Sequence, residues 1–410
     1  MTEDHKAVTR RHLLAAGAGG TMAATFPGST TVAEEKDSRL PDVYGTLGIR
    51  PIINAAGTIT TLGGSLMPPE VIAAWTAASR SFVSLTELRD RVGQKIAELL
   101  NVEAALVTTG AAGGILVGTA AALTYRDHSL IGRLPLPPDE NWQVIRQTSH
   151  RECYDNLVTA CGVRLVDVES IDDLHRAISD RTAMMFSYNV HEESSKIPQT
   201  EWIRAAREHN IPTLLDAAAD APPVEALSRF NRMGYDMVVF SGGKAIRGPQ
   251  GAGLLLGRRD LIEAATLNTA PRCGNIGRGM KVSKEDLVAM WAAVERFVHL
   301  DHDAELREWE RRIATIEAAV AKIPSVTTQR ITPPIANRVP HLLIDWDADR
   351  VRITPQELGR KLRDGDPSIA TARVHGTGDA GFLISVFMLQ PGEDNVVADR
   401  VRQILGESIV

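Results

Sequence analysis

The chain predicts an α/β fold, with a largely parallel, doubly wound sheet in a large domain followed by a smaller α+β region. Three observations carry this. Short apolar runs at 104–107, 144–145, 163–168, 183–186, 213–215 and 237–240 alternate with helical stretches such as 171–178 and 202–209, the pattern of parallel strands joined by crossover helices. A composition of 44% hydrophobic and 23% charged residues over 410 positions is that of a globular chain, long enough for one large core and a second, smaller one. Glycine-rich turns at 110–114 and 242–253 stand where strands would end, and that edge of an open α/β sheet is where ligands bind.

In chain order, the first segment is Thr9-Arg10-Arg11-His12-Leu13-Leu14 followed by an alanine- and glycine-rich stretch to Phe26. It resembles a twin-arginine export signal, with cleavage expected after Ala33 and a periplasmic or secreted destination. Its apolar core is too short to span a bilayer. Residues 34–60 then read as an N-terminal arm, 61–300 as the large domain and 301–410 as the small one, with the break near Leu300. One amphipathic helix is expected over 284–323, with strands near 341–344 and 382–388 and a loop at Pro333-Pro334.

Chemistry concentrates in the large domain. Phe-Ser-Gly-Gly-Lys-Ala-Ile-Arg-Gly-Pro-Gln-Gly-Ala-Gly at 240–253 sets Lys244 in a turn between the apolar runs 237–240 and 254–256. An amine desolvated there loses part of its preference for the charged form, and a neutral amine condenses with aldehydes. Asp216 ends the apolar run 213–215 and precedes Lys244 by 28 residues, room for one crossover. By itself it is either a helix N-cap or an anionic partner for a ligand cation such as a protonated pyridine, with Ala218 small enough to lie against a flat ring. In Ala105-Leu-Val-Thr-Thr-Gly110-Ala-Ala-Gly113-Gly114 a strand turns into a helix. The N–H groups of Thr109, Gly110 and Ala111 are therefore candidates for an anion.

Other chemistries are disfavoured. The lysine turn has Ala245 where a P-loop requires Ser or Thr, and no G-x-G-x-x-G opens a helix. Asp345-Trp-Asp347-Ala-Asp349 begins like a calcium loop, but Arg350 and Gln356 stand where glycine and glutamate are needed. His299 and His302 read as a solvated helix face, and no metal is expected. Cys153, Cys161 and Cys273 form no C-x-x-C and are expected as free thiols. A net charge of −6 without a basic tract argues against a nucleic-acid partner.

The order of phosphate turn, strand-end aspartate, then Ser-Gly-Gly-Lys and Gly-Pro-Gln-Gly-Ala-Gly resembles the fold-type I pyridoxal phosphate enzymes. The resemblance is narrower to the branch holding selenocysteine synthase and the D-glucosaminate-6-phosphate ammonia lyases. Pro51-Ile-Ile-Asn54-Ala-Ala-Gly57-Thr58 and Ile276-Gly-Arg278-Gly-Met-Lys281 extend it, and it covers roughly residues 40–405. It implies the fold-type I transferase fold, with a mostly parallel seven-stranded sheet, and pyridoxal 5'-phosphate as cofactor. Lys244 would hold the cofactor as an imine and Asp216 would pair with its ring nitrogen. His150, in Gln147-Thr-Ser-His, stands where the family places a residue over the ring, or is a loop histidine. Ser241 and Gln250 would reach the phosphate or fix the turn. Arg278 and Lys281 would approach the phosphate across a homodimer, or form a solvated patch. Arg373 and Asn54 are the candidates for holding the substrate, Arg373 through the carboxylate.

The implied activity is a lyase that acts on a small 2-amino-3-hydroxy acid or amino-sugar acid by α,β-elimination, releasing ammonia and a 2-oxo acid. An aminotransferase or a racemase shares every step up to removal of the α-proton. A selenocysteine synthase-like transferase would need a tRNA-binding surface, and a non-catalytic binding protein would need neither Lys244 nor Asp216. A homodimer or higher homo-oligomer is expected, with no stable membrane span.

Overall fold

The computed structural model describes residues 42–136, 138–372 and 381–410. Residues 42–50 belong to one unit, in which the Asp42 carboxylate accepts from Gly45 N at 2.8 Å and caps the one-turn helix Val43–Thr46. The 1–33 signal and Arg373 lie outside the described residues.

The chain from Pro51 onward forms a second unit. Its first strand, β1 (Ile52–Ala55), stands apart from the main sheet. That sheet takes β2 (Ala104–Thr108), β3 (Gln143–Gln147), β4 (Arg164–Val168), β5 (Thr182–Tyr188), β6 (Thr213–Asp216), β7 (Met237–Ser241) and β8 (Gly253–Gly257). Four more strands follow: β9 (Val326–Ile331), β10 (His341–Trp346), β11 (Ser368–Thr371) and β12 (Phe382–Ser385).

The seven strands run in the order β2-β8-β7-β6-β5-β3-β4, and within this sheet only β8 is antiparallel to its neighbours. Every residue of β2, β3, β5 and β8 is buried, as expected where helices cover both faces. One face carries the helix Gly110–Thr124, whose alanines, glycines and leucines are buried almost all round and which packs across β5 to β8. Glycines let this helix approach the strands closely: a Cβ at Gly114 would stand 2.7 Å from Val239 Cγ1. The other face is covered by amphipathic helices, among them Leu85–Leu100 and Gln199–Glu208.

Past the sheet the expected single helix over 284–323 is two, Lys284–His299 and His302–Val320. Leu300 turns extended, and the Asp301 carboxylate accepts from Ala304 N at 2.9 Å, so a local cap outcompetes continuation of the apolar stripe. The expected strand over 382–388 stops at Ser385. β9, β10 and β12 form an antiparallel sheet. β1 pairs in parallel with β11, Asn54 opposite Ala370, and so joins the start of this unit to its last third. Cys153, Cys161 and Cys273 are free thiols. Among the described residues no helix is long and apolar enough to cross a membrane.

Candidate active site

Because six of the seven strands point the same way, their carboxyl ends share one edge. Thr109–Ala111 follow β2, His150–Glu152 follow β3, Asn189–His191 follow β5, Asp216–Asp220 end β6, and Ser241–Lys244 end β7.

The turn that carries Lys244 is pinned on both sides. Gly242 N donates to Ala252 O at 2.9 Å, Gly248 N to Gly242 O at 2.8 Å, and Arg247 N to Lys244 O at 3.0 Å. Gly243 is required here, since a Cβ would stand 2.5 Å from Gln250 Cα. Arg247 closes the turn with φ of +58°, a left-handed conformation that a non-glycine side chain takes at a cost. It is held by a bond from its Nε to Leu66 O at 2.9 Å. Burial pushes the Lys244 ammonium below its ordinary range, and the carboxylates of Asp216 and Asp220 oppose that shift.

Asp216 sits beside that turn through main-chain bonds, Ala217 N to Val239 O at 3.0 Å and Ser241 N to Ala218 O at 3.2 Å. Its Oδ1 accepts from Ala218 N at 2.8 Å. Burial raises its carboxyl to about 6, against the opposing effects of that bond and of Lys244, while Asp220 and Glu152 add to the rise. A carboxylate desolvated to this degree favours a cationic partner.

At the start of the helix Gly110–Thr124 no side chain caps the first turn, which leaves its N–H groups oriented for an anion. Gly110 has φ of +67°, and a Cβ there would meet nothing within 4 Å, so the approach to this turn is open. A Cβ at Gly113 would stand 3.9 Å from Met280 Sδ, which sets the 276–281 loop of the same chain beside the turn. Arg278 and Lys281 flank Met280 and enter no ion pair among the described residues.

Other candidates are engaged locally. His150 is fully buried: Tyr188 N donates to its Nδ1 at 3.0 Å, so Nε2 carries the proton toward Ser195 Oγ at 2.7 Å. Burial first, then His191 and Arg146, lower its imidazolium to about 4. Gln250 Nε2 donates to Thr60 O at 3.0 Å, and Ser241 lies half-buried at the end of β7. Asn54 closes its own turn, with Nδ2 donating to Gly57 O at 2.9 Å and Oδ1 accepting from Ala56 N and Gly57 N.

The fold adds groups that the sequence reading did not single out. Asp220 is 4% exposed and accepts from Asn189 Nδ2 at 2.6 Å. His191 Nε2 stands 3.6 Å from Glu152 Oε1, and its ring centre lies 6.0 Å from that of His150. Tyr154 is partly exposed on the same loop, and its hydroxyl is pushed up by burial and by nearby anions that include Asp216. Asp220 was visible in Asp-Ala-Ala-Ala-Asp; the meeting of Glu152 with His191 joins the ends of β3 and β5 and has no local signal.

These residues fit pyridoxal 5'-phosphate: a buried lysine whose ammonium burial disfavours for its aldehyde, a desolvated carboxylate for its ring nitrogen, and an uncapped helix start for its phosphate. Comparison with known proteins agrees. Residues 142–274 match the family described as aminotransferase class-V. The chain is similar to a 5'-C-glycyluridine monooxygenase-decarboxylase of a Streptomyces species, at 28% identity over 80% of this chain and 83% of the relative. It is similar to the D-glucosaminate-6-phosphate ammonia lyase of Salmonella typhimurium, at 26% over 89% and 98%, and to the L-seryl-tRNA(Sec) selenium transferase of Moorella thermoacetica, at 26% over 93% and 87%. A solved D-glucosaminate-6-phosphate ammonia-lyase superposes with a TM-score of 0.77 at 24% identity, over 90% of this chain and all of that one. The chain is thus an enzyme on the fold-type I scaffold, and pyridoxal 5'-phosphate is the cofactor that its site fits.

Proposed function

We propose that the protein is a pyridoxal-phosphate-dependent lyase that removes water across the α and β carbons of a small 2-amino-3-hydroxy acid or amino-sugar acid. The observation that carries this reading is the end-to-end likeness to D-glucosaminate-6-phosphate ammonia lyase, which spans 89% of this chain and 98% of that one. The bound cofactor supplies an electron-accepting ring for the charge that develops at the substrate's α-carbon. Lys244 Nζ holds the cofactor and then carries the α-proton, for which a lowered ammonium range suits it. Asp216 keeps positive charge on the ring nitrogen, and the N–H groups of Thr109, Gly110 and Ala111, with Arg278 and Lys281 alongside, hold the phosphate. Arg373, outside the described residues, is proposed to take the substrate carboxylate.

A homodimer or higher homo-oligomer and twin-arginine export remain part of this reading. Export and the negative balance of the chain favour a small-molecule substrate over a tRNA-linked one, which sets the protein apart from the selenium transferase.

The test is incubation with 2-amino-3-hydroxy acids and no amino acceptor. A lyase yields ammonia and a 2-oxo acid in equal amounts: the substrate loses water across Cα–Cβ, and the released enamine regains water as its C–N bond is hydrolysed. An aminotransferase without acceptor stops after one half-reaction per site, and a racemase changes only optical rotation. The Streptomyces relative suggests a second reading, and oxygen consumption coupled to carbon dioxide release would favour it over elimination.

A further inference from the structure

The helix Pro355–Asp364 turns one face on a cavity of about 700 Å³, a volume that suits a small organic ligand. Gln356, Gly359, Arg360 and Arg363 line it, at the i, i+3, i+4, i+7 spacing of a single helix face. A Cβ at Gly359 would stand 3.7 Å from Thr371 Oγ1 and from Phe382 Cε2, so this face lies over the end of β11 and the start of β12.

The cavity adjoins the lysine turn. Thr61 and Leu62 line it, and the segment that supplies them also packs on the Lys244 turn: Gln250 Nε2 donates to Thr60 O at 3.0 Å, and a Cβ at Gly64 would stand 2.5 Å from Gly243 O. Ala370 and Thr371 line it from β11, the strand on which β1 sets Asn54 opposite Ala370.

The charge of the lining is one-sided. Among the described residues it holds two guanidiniums, Arg360 and Arg363, and no carboxylate. Both arginines are exposed, so a ligand can reach them, and Arg360 enters no ion pair among the described residues. Glu357, three residues before Arg360, is engaged at the helix start, where its Oε2 accepts from Thr354 N and from Thr354 Oγ1 at 3.0 Å each. Cations in a last helical turn are favourable in themselves, which accounts for Lys361 and Arg363, yet Lys361 lies outside the cavity. Helix-end electrostatics therefore does not explain why two guanidiniums face one space with no acid between them. An oxyanion held by both forks does.

We propose that this cavity is the distal part of the substrate site, and that Arg360 and Arg363 bind a second oxyanion of the substrate, a phosphate monoester or a carboxylate, at the end remote from its amine. In the proposed lyase, on which this inference rests, the α-carboxylate goes to Arg373, so the group held here is additional to it. The hydroxyls of Thr61 and Thr371 border the same space and suit a hydroxylated chain between the two ends.

The test uses the full, pyridoxal-phosphate-loaded chain and reads binding by titration calorimetry, with three amine-free probes: gluconate, gluconate 6-phosphate, and glucarate, which has a second carboxylate in place of the phosphate. Loading keeps the phosphate probe from the helix start at Gly110. At least one of the two doubly anionic probes should bind about thirtyfold more tightly than gluconate, and the preferred one identifies the oxyanion. Arg360→Gln and Arg363→Gln should each lose about tenfold of that preference, while Lys361→Gln, in the same helix but outside the cavity, should keep it. Arg360→Lys retains the charge without the fork and should fall between the wild type and Arg360→Gln, and it carries the test should the glutamine chains not fold.

Equal or undetectable binding of all three probes by the wild type would overturn the proposal. So would an equal loss in Lys361→Gln, which would reduce the effect to net charge. The lyase reading stands or falls separately, on ammonia release from 2-amino-3-hydroxy acids, because the probe preference requires no turnover.

Discussion

The carboxylates of Asp216 and Glu308 show two ways in which this protein uses charge. Glu308 lies on the surface of the helix His302–Val320 and accepts from Arg311 Nε and Nη2 at 2.8 Å each and from Arg312 Nε at 2.9 Å. The Arg311 bonds, with Arg312 beside them, hold its carboxyl down to about 2. Close by, Arg330 spans Glu310 at 2.7 Å and Glu317 at 2.6 Å. Asp216 has one main-chain donor and little water, and its carboxyl is raised to about 6. On the outer helix Glu308, Glu310 and Glu317 are each answered by an arginine of the same chain. At the sheet edge the answer is withheld, and a ligand can supply it.

That difference is sharpest in what each group would cost to lose. Asp216→Ala should fold normally, because its recorded hydrogen bond is one short link to Ala218 N. Turnover should fall on the order of a thousandfold, as for the loss of one preorganised electrostatic partner of a transition state. Near-normal turnover in steady-state assays would reduce Asp216 to a turn-forming residue.

His150 lies between these two cases, charged nowhere near neutrality yet fully bonded. The unfolded chain protonates this imidazole below about pH 6.5, while the folded chain keeps it neutral down to about 4. Stability is therefore complete above pH 6.5 and is lost as pH falls through that window, by about 3 kcal/mol at most. His150→Asn, which keeps an acceptor for Tyr188 N, should lower stability at neutral pH but flatten this acid dependence. Urea unfolding at a series of pH values measures both effects, and an unchanged slope between pH 4 and 6.5 would mean that other groups carry it.

The legible and illegible parts of the chain divide along the same line. β2, β5, β7 and β8 were readable because each is an unbroken apolar run between turns, and burial on both faces demands that. Lys244 and Asp216 were readable because each stands at the end of such a run. Local competition hid the helix break: the apolar stripe of 284–323 continues past Leu300, and only the cap at Asp301 ends it. Long-range pairing hid more, since nothing near Asn54 announces Ala370, and nothing near His150 announces Ser195 or the Tyr188 main chain. Asp220 was in plain view, but its weight comes from Asn189 and Ala336, which only the fold brings to it.

The smallest expected effect belongs to the outer charges. Arg330 lies on β9 with its side chain 41% exposed, and its partners Glu310 and Glu317 are also within reach of water. Ion pairs in that setting contribute little, because the Coulomb gain is screened and two long side chains must be held still. Arg330→Ala should therefore cost less than about 1 kcal/mol in urea unfolding, with the loss shrinking as salt is added, and should leave turnover at the wild-type value. A loss above about 2 kcal/mol would show that these exposed pairs act as a network that holds β9 to the helix His302–Val320, and the contrast with Asp216 would then be one of degree.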